Sequence, residues 1–166
     1  MGLKQTVDTI FTQGLHTAYR PPGAALTIAA GGAHNLFQLV GGPAYVKGFF
    51  MYCDVAMAAA SSFQLAICGV NAENATVVCN LAIGEMAVWP LQAAALSIII
   101  PNVASTPYPP LATEIQGESG GILISPGSAG GDIFVMTLTA VDCPANTVSF
   151  FVIYYKMRPQ TLIVPL

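Results

Sequence analysis

The residue types that most often carry catalysis are few in this chain. Its two histidines, His16 and His34, have no partner at metal-ligand or triad spacing, so neither predicts a general base or a metal site. Glu114 and Glu118 could share one face of a helix, but the glycines around them disfavour a helix there. The sequence contains no phosphate-binding loop and no dinucleotide-binding fingerprint. We therefore expect no enzymatic activity, no cofactor and no small-molecule ligand.

Two other features resemble parts of a functional site. Residues 126–130 read Pro-Gly-Ser-Ala-Gly, and Pro126 stands where the first glycine of a G-x-S-x-G nucleophile elbow should be. A Gly-rich turn is the better interpretation. Trp89 and the six tyrosines could form a sugar-binding platform, but their neighbours are apolar. Core or interface positions are therefore expected for them.

The four cysteines show no metal-binding pattern. They are Cys53, Cys68, Cys79 and Cys143, and no two of them form a C-x-x-C pair. Each lies in an apolar run, which is typical of buried free thiols that pack as small hydrophobic groups. Free thiols indicate a reducing site of synthesis.

The composition is unusually poor in charge. Of 166 residues, 5 are Lys or Arg and 8 are Asp or Glu, which is 8 %, whereas apolar residues make up 54 %. A typical soluble domain has roughly 25 % charged residues. A folded monomer of this mass would expose about 7800 Å², or about 600 Å² for each charged side chain. Such a surface is expected to be covered by a membrane or by other protein subunits.

Neither a membrane nor a nucleic acid fits the charge pattern. The most apolar stretch, Ile83 to Ile100, contains Glu85 and Pro90, and no Lys/Arg cluster flanks it. The basic residues are spread from Lys4 to Arg158, so no phosphate-neutralising patch is expected. We therefore expect other protein subunits to cover the apolar surface.

From residue 24 onward the sequence predicts an all-β domain. Short runs of Val, Ile, Phe and Tyr alternate with Gly/Pro/Asn/Ser clusters, as in a jelly-roll-like antiparallel β-sandwich. We expect a single domain over residues 24–166. The predicted strands are Leu26–Ala29, Asn35–Val40, Ala44–Cys53, Ser62–Val70, Thr76–Ile83, Met86–Trp89, Ser97–Ile100, Gly121–Ile124, Asp132–Val141, Thr147–Tyr155 and Thr161–Val164.

The two longest runs, 133–141 and 148–155, are apolar on both faces. An isolated sandwich would make one face polar. These runs are therefore either covered on both sides within the domain or exposed to another subunit, and residues 142–146 are expected to join them as a hairpin loop. The side chains predicted to lie in the core or at an interface are Phe134, Met136, Phe151, Ile153 and Tyr155.

Residues 1–23 differ from the β body and are expected to form an N-terminal arm. Apolar side chains recur there at helical spacing, and Pro21-Pro22 then breaks any helix. A frayed terminus is the alternative interpretation. The side chains expected to anchor the arm on a neighbouring subunit are Leu3, Val7, Ile10 and Phe11.

Two segments resemble a family of small structural proteins of tailed bacteriophages. Residues 36–46 read as a strand, a Gly41-Gly42-Pro43 turn and a second strand, and residues 121–159 read as a short strand followed by two long ones ending in Tyr154-Tyr155. The resemblance covers residues 35–160 loosely. The chain departs from the family in its apolar Phe49–Cys53 segment and in its extra arm.

The resemblance implies a β-rich, non-enzymatic virion protein made in the host cytoplasm. We expect a capsid decoration (cement) protein on the head surface, associated with itself, most simply as a homotrimer, and with the major capsid protein. A tail or baseplate subunit is an alternative, and a carbohydrate-binding module is an alternative from a different class. A small icosahedral coat protein is disfavoured because the chain lacks a basic arm.

Overall fold

The computed structural model describes residues 14–67, 70–71, 77–89, 121–125 and 133–166. In these ranges the protein is built from antiparallel strands and one short 3-10 turn, Ala29–Gly31. The all-β class expected from the sequence is therefore confirmed. Within the described ranges, no helix is long and apolar enough to cross a membrane.

Five strands form the first sheet, which we call sheet I. Its order is β1-β10-β3-β7, and β8 pairs with the same strand β3 as β7 does, so β3 is the central strand of the sheet. All its pairings are antiparallel. The strands are β1 (His16–Arg20), β3 (Ala44–Cys53), β7 (Met86–Trp89), β8 (Ile122–Ile124) and β10 (Val148–Lys156).

Six strands form the second sheet, sheet II. Its order is β11-β2-β9-β4-β5, with β6 also pairing with β4, and its pairings are antiparallel as well. The strands are β2 (Ala33–Val40), β4 (Ser61–Ile67), β5 (Val70–Asn71), β6 (Val77–Cys79), β9 (Ile133–Leu138) and β11 (Leu162–Pro165).

The two sheets share one core, as in a β-sandwich. Phe49 of sheet I contacts two aromatic rings of sheet II: Phe37 edge-on, with centroids 6.3 Å apart, and Phe134 in a stacked arrangement, also at 6.3 Å. Trp89 packs edge-on against the same Phe49 ring at 5.4 Å. All four side chains are at most 2 % exposed, so this aromatic cluster holds the sheets together.

The Gly41-Gly42-Pro43 turn connects β2 of sheet II to β3 of sheet I. Gly41 has φ +79°, and a Cβ at this position would lie 2.1 Å from the backbone oxygen of Gln160. The Thr161 hydroxyl donates a hydrogen bond to the Pro43 carbonyl at 3.1 Å. Glycine is required here because the turn passes directly over the loop that leads into β11.

Three local predictions differ from the structure. Residues 16–20, which the sequence places in the arm, form β1, and all five of them pair with β10. Residues 26–29 form no strand; Leu26 makes an isolated bridge to Cys143 and then enters the 3-10 turn. The expected hairpin at 142–146 is wrong, because β9 and β10 belong to different sheets and the loop crosses between them.

Other sequence predictions concern positions that the structure does not describe. The four arm residues and the strand predicted at 97–100 lie outside the described ranges. The jelly-roll connectivity stays a prediction.

Candidate interaction surface

The side of sheet I that faces away from the core carries large apolar and aromatic side chains. Because successive residues of a strand point to opposite faces, the register of the sheet assigns each side chain to the core or to the outside. We call the open part of this surface the aromatic face. It consists of Tyr19, Tyr45, Leu123, Phe151, Ile153 and Tyr155.

Side chains of the aromatic face align across neighbouring strands. Tyr19 of β1 lies opposite Phe151 of β10, and their rings stack with centroids 4.8 Å apart. Tyr155 of β10 lies opposite Tyr45 of β3, which in turn lies opposite Leu123 of β8. Such cross-strand rows of aromatic and aliphatic groups make a continuous apolar surface.

A β-bulge places one charge beside this surface. The pairing of β10 with β3 goes from Ile153–Gly48 directly to Tyr154–Val46, so Lys47 is the extra residue. Its ammonium lies over the Tyr45 ring, 5.5 Å from the centroid. Among the described strand residues that point outward from sheet I, Lys47 alone is charged.

Part of the outward side of sheet I is already covered. Phe50 and Val88 lie opposite each other on β3 and β7 and point outward by register, yet they are 8 % and 0 % exposed. Tyr19 and Leu123, in contrast, are 46 % and 63 % exposed. The open part of the surface therefore lies over β1, β10, β8 and the beginning of β3.

The outward side of sheet II has a different chemistry. Its described side chains are small, aliphatic or polar, and none of them is aromatic. The polar ones, spread over its three central strands, are Asn35, Gln38, Ser62, Gln64 and Thr137. The sandwich thus presents one aromatic surface and one uncharged surface of mixed aliphatic and polar side chains, on which Val78 and Leu162 are also exposed. Only the first surface carries, among its described side chains, the aromatic groups that are enriched in buried protein contacts.

The structure divides the predicted core or interface residues into two groups. Phe134 and Met136 are fully buried between the sheets, so they belong to the core. Phe151, Ile153 and Tyr155 are half-buried and lie on the aromatic face. Sequence reasoning missed Tyr19, because the five residues His16–Arg20 are too short and too polar to predict a strand alone.

Trp89 does not form a sugar-binding platform. Its side chain is 2 % exposed and packs against Phe49 in the core. Among the described outward strand residues of sheet I there is no carboxylate and no amide; they are apolar groups, tyrosines, Thr17, Ser149 and Lys47. Trp89 is therefore not available as the platform of the carbohydrate-binding alternative.

The two histidines are far apart in the fold. His34 Nε2 lies 2.9 Å from both the backbone nitrogen and the backbone oxygen of Thr27, so its ring stabilises the loop before β2. His16 lies on β1 beside Tyr154, with ring centroids 5.7 Å apart. Within the described ranges, no three His, Cys, Asp or Glu side chains cluster in a way that could hold a metal ion.

Three cysteines are buried, as expected. Cys53, Cys79 and Cys143 are 0 % exposed, and Cys53 and Cys143 are free thiols, whereas Cys68 lies outside the described residues. Burial raises the pKa of the Cys143 thiol to about 11, against a smaller opposite effect of its hydrogen bond with Thr147. Burial also raises the pKa of the Cys53 thiol. Both groups are therefore protonated and poorly nucleophilic at neutral pH.

No family model, no curated protein and no solved structure matches this chain.

Proposed function

We propose that this protein is a non-enzymatic structural subunit of a virion, a capsid decoration or cement protein that associates with itself and with the major capsid protein on the head surface. The supporting observation is the aromatic face. Tyr19, Phe151 and Ile153 lie on an outward sheet surface whose described strand residues carry a single charge, Lys47. Burying this face against neighbouring subunits removes apolar area from water, which is the main favourable term in protein association.

The mechanism is adhesive. Each subunit contributes one apolar contact, and an oligomer that touches several shell subunits at once binds far more tightly than any single contact. The outward face of sheet II, whose described side chains are uncharged and not aromatic, is the side we assign to solvent. The arm formed by the residues before β1 reaches a neighbouring subunit in this proposal.

The oligomer is closed. Only closed point-group symmetry buries the aromatic face of every copy and leaves no copy with an unpaired contact surface. The sequence alone favours a homotrimer as the simplest closed form.

A tail or baseplate subunit is the second candidate, since it has the same need to bury an apolar face. Antibody labelling of particles that contain this chain, followed by electron microscopy, separates the two. Label over the head surface is the expected result. Label confined to the tail supports the second candidate, and a chain absent from purified particles contradicts both.

A further inference from the structure

β1 is an edge strand of sheet I, and its outer side pairs with no strand that the structure describes. The order β1-β10-β3-β7 places it at the end of the sheet, and all five of its residues pair with β10. Of the described hydrogen bonds between backbone groups, none outside this ladder involves His16–Arg20. One side of β1 therefore presents unpaired N–H and C=O groups, which can template a further strand.

Hydrogen bonds at the end of β3 show which backbone groups of β10 point toward β1. The Cys53 amide donates to the Glu85 oxygen at 2.9 Å, and the Cys53 oxygen accepts from the Gly84 amide at 2.8 Å. Both groups of Cys53 thus point away from β10, where Val148 lies opposite. Because backbone direction alternates along an antiparallel ladder, the even-numbered residues of β10 point toward β1 and the odd-numbered ones toward β3.

The same alternation assigns the backbone groups of β1. At the other end of β10, the Met157 amide donates to the Pro43 oxygen at 3.1 Å, in agreement with this alternation. The even-numbered residues of β1 lie opposite even-numbered residues of β10, so they form the hydrogen-bonded pairs between these strands. Thr17 and Tyr19 therefore point their N–H and C=O groups to the free side, while their side chains lie on the outer side of sheet I.

β1 lacks the features with which proteins block a free edge. It contains no proline and no lysine, and its ladder with β10 has no bulge. Its charged residue, Arg20, lies over the Phe150 ring, 5.9 Å from the centroid, and its Nε donates to the Leu166 backbone oxygen at 3.0 Å. Pro21 follows directly and has no N–H, so the edge ends there.

We infer that the partner of this edge is β1 of a second copy, paired antiparallel about a twofold axis that passes beside Ala18, normal to the sheet. Thr17 of each copy then lies opposite Tyr19 of the other. Both residues point their backbone groups at the partner, so they form hydrogen-bonded pairs, and Ala18 meets its own counterpart between them. An axis beside Tyr19 would instead place Thr17 opposite Pro21, which lacks an N–H.

The two aromatic faces lie on the same side of the joined sheet in this dimer. Tyr19 stacks on Phe151 of its own chain, and across the axis it lies beside Thr17 of the second copy. The cross-strand row of side chains therefore continues from one copy into the other. This inference goes beyond the proposed function, since the pairing needs no capsid, but the joined face suits a subunit that binds a shell.

Disulfide formation in the full-length chain tests this register. The Cα atoms of a non-hydrogen-bonded antiparallel pair lie about 4.5 Å apart, within the range of a disulfide. Ala18→Cys chains are therefore expected to crosslink under mild oxidation. Thr17→Cys is the matched control, because its own counterpart lies two residues away along the partner strand. It should crosslink several-fold less alone than in a mixture with Tyr19→Cys. The wild type gives the background from the native cysteines.

Two crosslinking results would overturn the inference. Thr17→Cys chains that crosslink as well alone as in the mixture would indicate a different strand register. Absence of crosslinks above the wild-type background in every variant would show that the edge does not bind a second copy.

Proline substitution gives an independent test. Thr17→Pro removes an N–H that the ladder with β10 does not use, so the edge strand is expected to stay folded. Each copy loses a hydrogen bond to its partner, which should weaken self-association about tenfold or more. Thr17→Ala keeps the N–H and should stay within about threefold of the wild type. Urea unfolding shows that both variants are folded, and equal dissociation constants for the two would contradict the pairing.

The native mass, measured by sedimentation equilibrium, separates this contact from those proposed for the aromatic face. Dimers, or larger even-numbered species, are expected for the wild type. Ile153→Glu, on the aromatic face, should reduce larger species to the dimer joined through β1. A species of three chains that occurs without any even-numbered species would overturn the edge contact but leave the assembly role intact.

Discussion

Tyr19 stacks on Phe151 across β1 and β10, with ring centroids 4.8 Å apart and ring planes 29° from parallel. The pair lies on the outer side of sheet I, where Tyr19 is 46 % exposed. It connects an edge strand near the N-terminus to the longest strand of the C-terminal half. This contact therefore stabilises the pairing of β1 with β10, and it also forms part of the surface proposed for assembly.

Removing the Tyr19 ring is expected to destabilise the isolated chain only modestly. Tyr19→Ala should lower the free energy of unfolding by about 1 kcal/mol, the usual contribution of an aromatic cross-strand pair. Urea denaturation at low protein concentration measures this. Thr17→Ala, at an exposed position on the same strand and face, is the control and should change the value by less than about 0.5 kcal/mol. Equal effects of the two substitutions would contradict a role for the stacked pair.

Replacing Gly41 is expected to be costly. Gly41 and Gly31 both have a left-handed backbone, with φ of +79° and +87°. A Cβ at Gly41 would collide with the Gln160 oxygen, whereas a Cβ at Gly31 would meet no described residue within 4 Å apart from its chain neighbours. Gly41→Ala should therefore destabilise the fold by about 2 kcal/mol more than Gly31→Ala, which carries only the backbone strain.

Thermal and urea unfolding of the two glycine variants provide the comparison. Similar losses at both positions would mean that the turn can move away from the Gln160 loop. The close packing between this turn and the loop before β11 would then be unnecessary for stability.

The Cys143 thiol is expected to make the fold less stable at alkaline pH. Its pKa is raised by burial to about 11, whereas a thiol in the unfolded chain titrates near about 8.5. Below the lower value both states are protonated and the full stability is present. Between the two values the unfolded thiol ionises while the folded one does not, so stability falls as the pH rises, by on the order of 2 kcal/mol.

A Cys143→Ala variant isolates this effect from other groups that titrate in the same range. Unfolding free energies of the variant and the wild type, measured under reducing conditions from pH 8 to pH 10.5, should converge as the pH rises. Curves that stay parallel over this range would show that Cys143 does not contribute.

Much of the strand pattern was predictable from the sequence. Ala44–Cys53 and Met86–Trp89 match β3 and β7 at both ends, because each run of strand-forming residues is bounded by turn residues. The alternation in 148–155 correctly separates the side chains of this strand into two faces. The structure adds that Phe150, Val152 and Tyr154 face the core.

The deviations have physical causes that a single sequence does not reveal. The bulges at Leu36 and Lys47 shift the alternation of β2 and β3 by one residue, and such a shift depends on the partner strand. Residues 142–146 have the composition of a hairpin loop, yet the core requires them to cross from sheet II to sheet I. β1 was missed because five residues ending at Arg20 are too short and too polar to predict a strand alone.

The aromatic face could be predicted only in part. Phe151, Ile153 and Tyr155 were found because they alternate along one strand. Tyr45 and Leu123 come from β3 and β8, which are far apart in the sequence but pair directly in the sheet, so their shared surface follows from the sheet order.

The native mass of the purified chain, measured by sedimentation equilibrium over a wide concentration range, tests the central claim most directly. The chain has a mass of 17.2 kDa. The wild type should form a defined oligomer, and Ile153→Glu, on the aromatic face, should dissociate it, whereas Val135→Glu, on the outer side of sheet II, should leave it intact. A wild type that stays monomeric and soluble at high concentration would contradict the claim that this protein buries its aromatic face in an assembly.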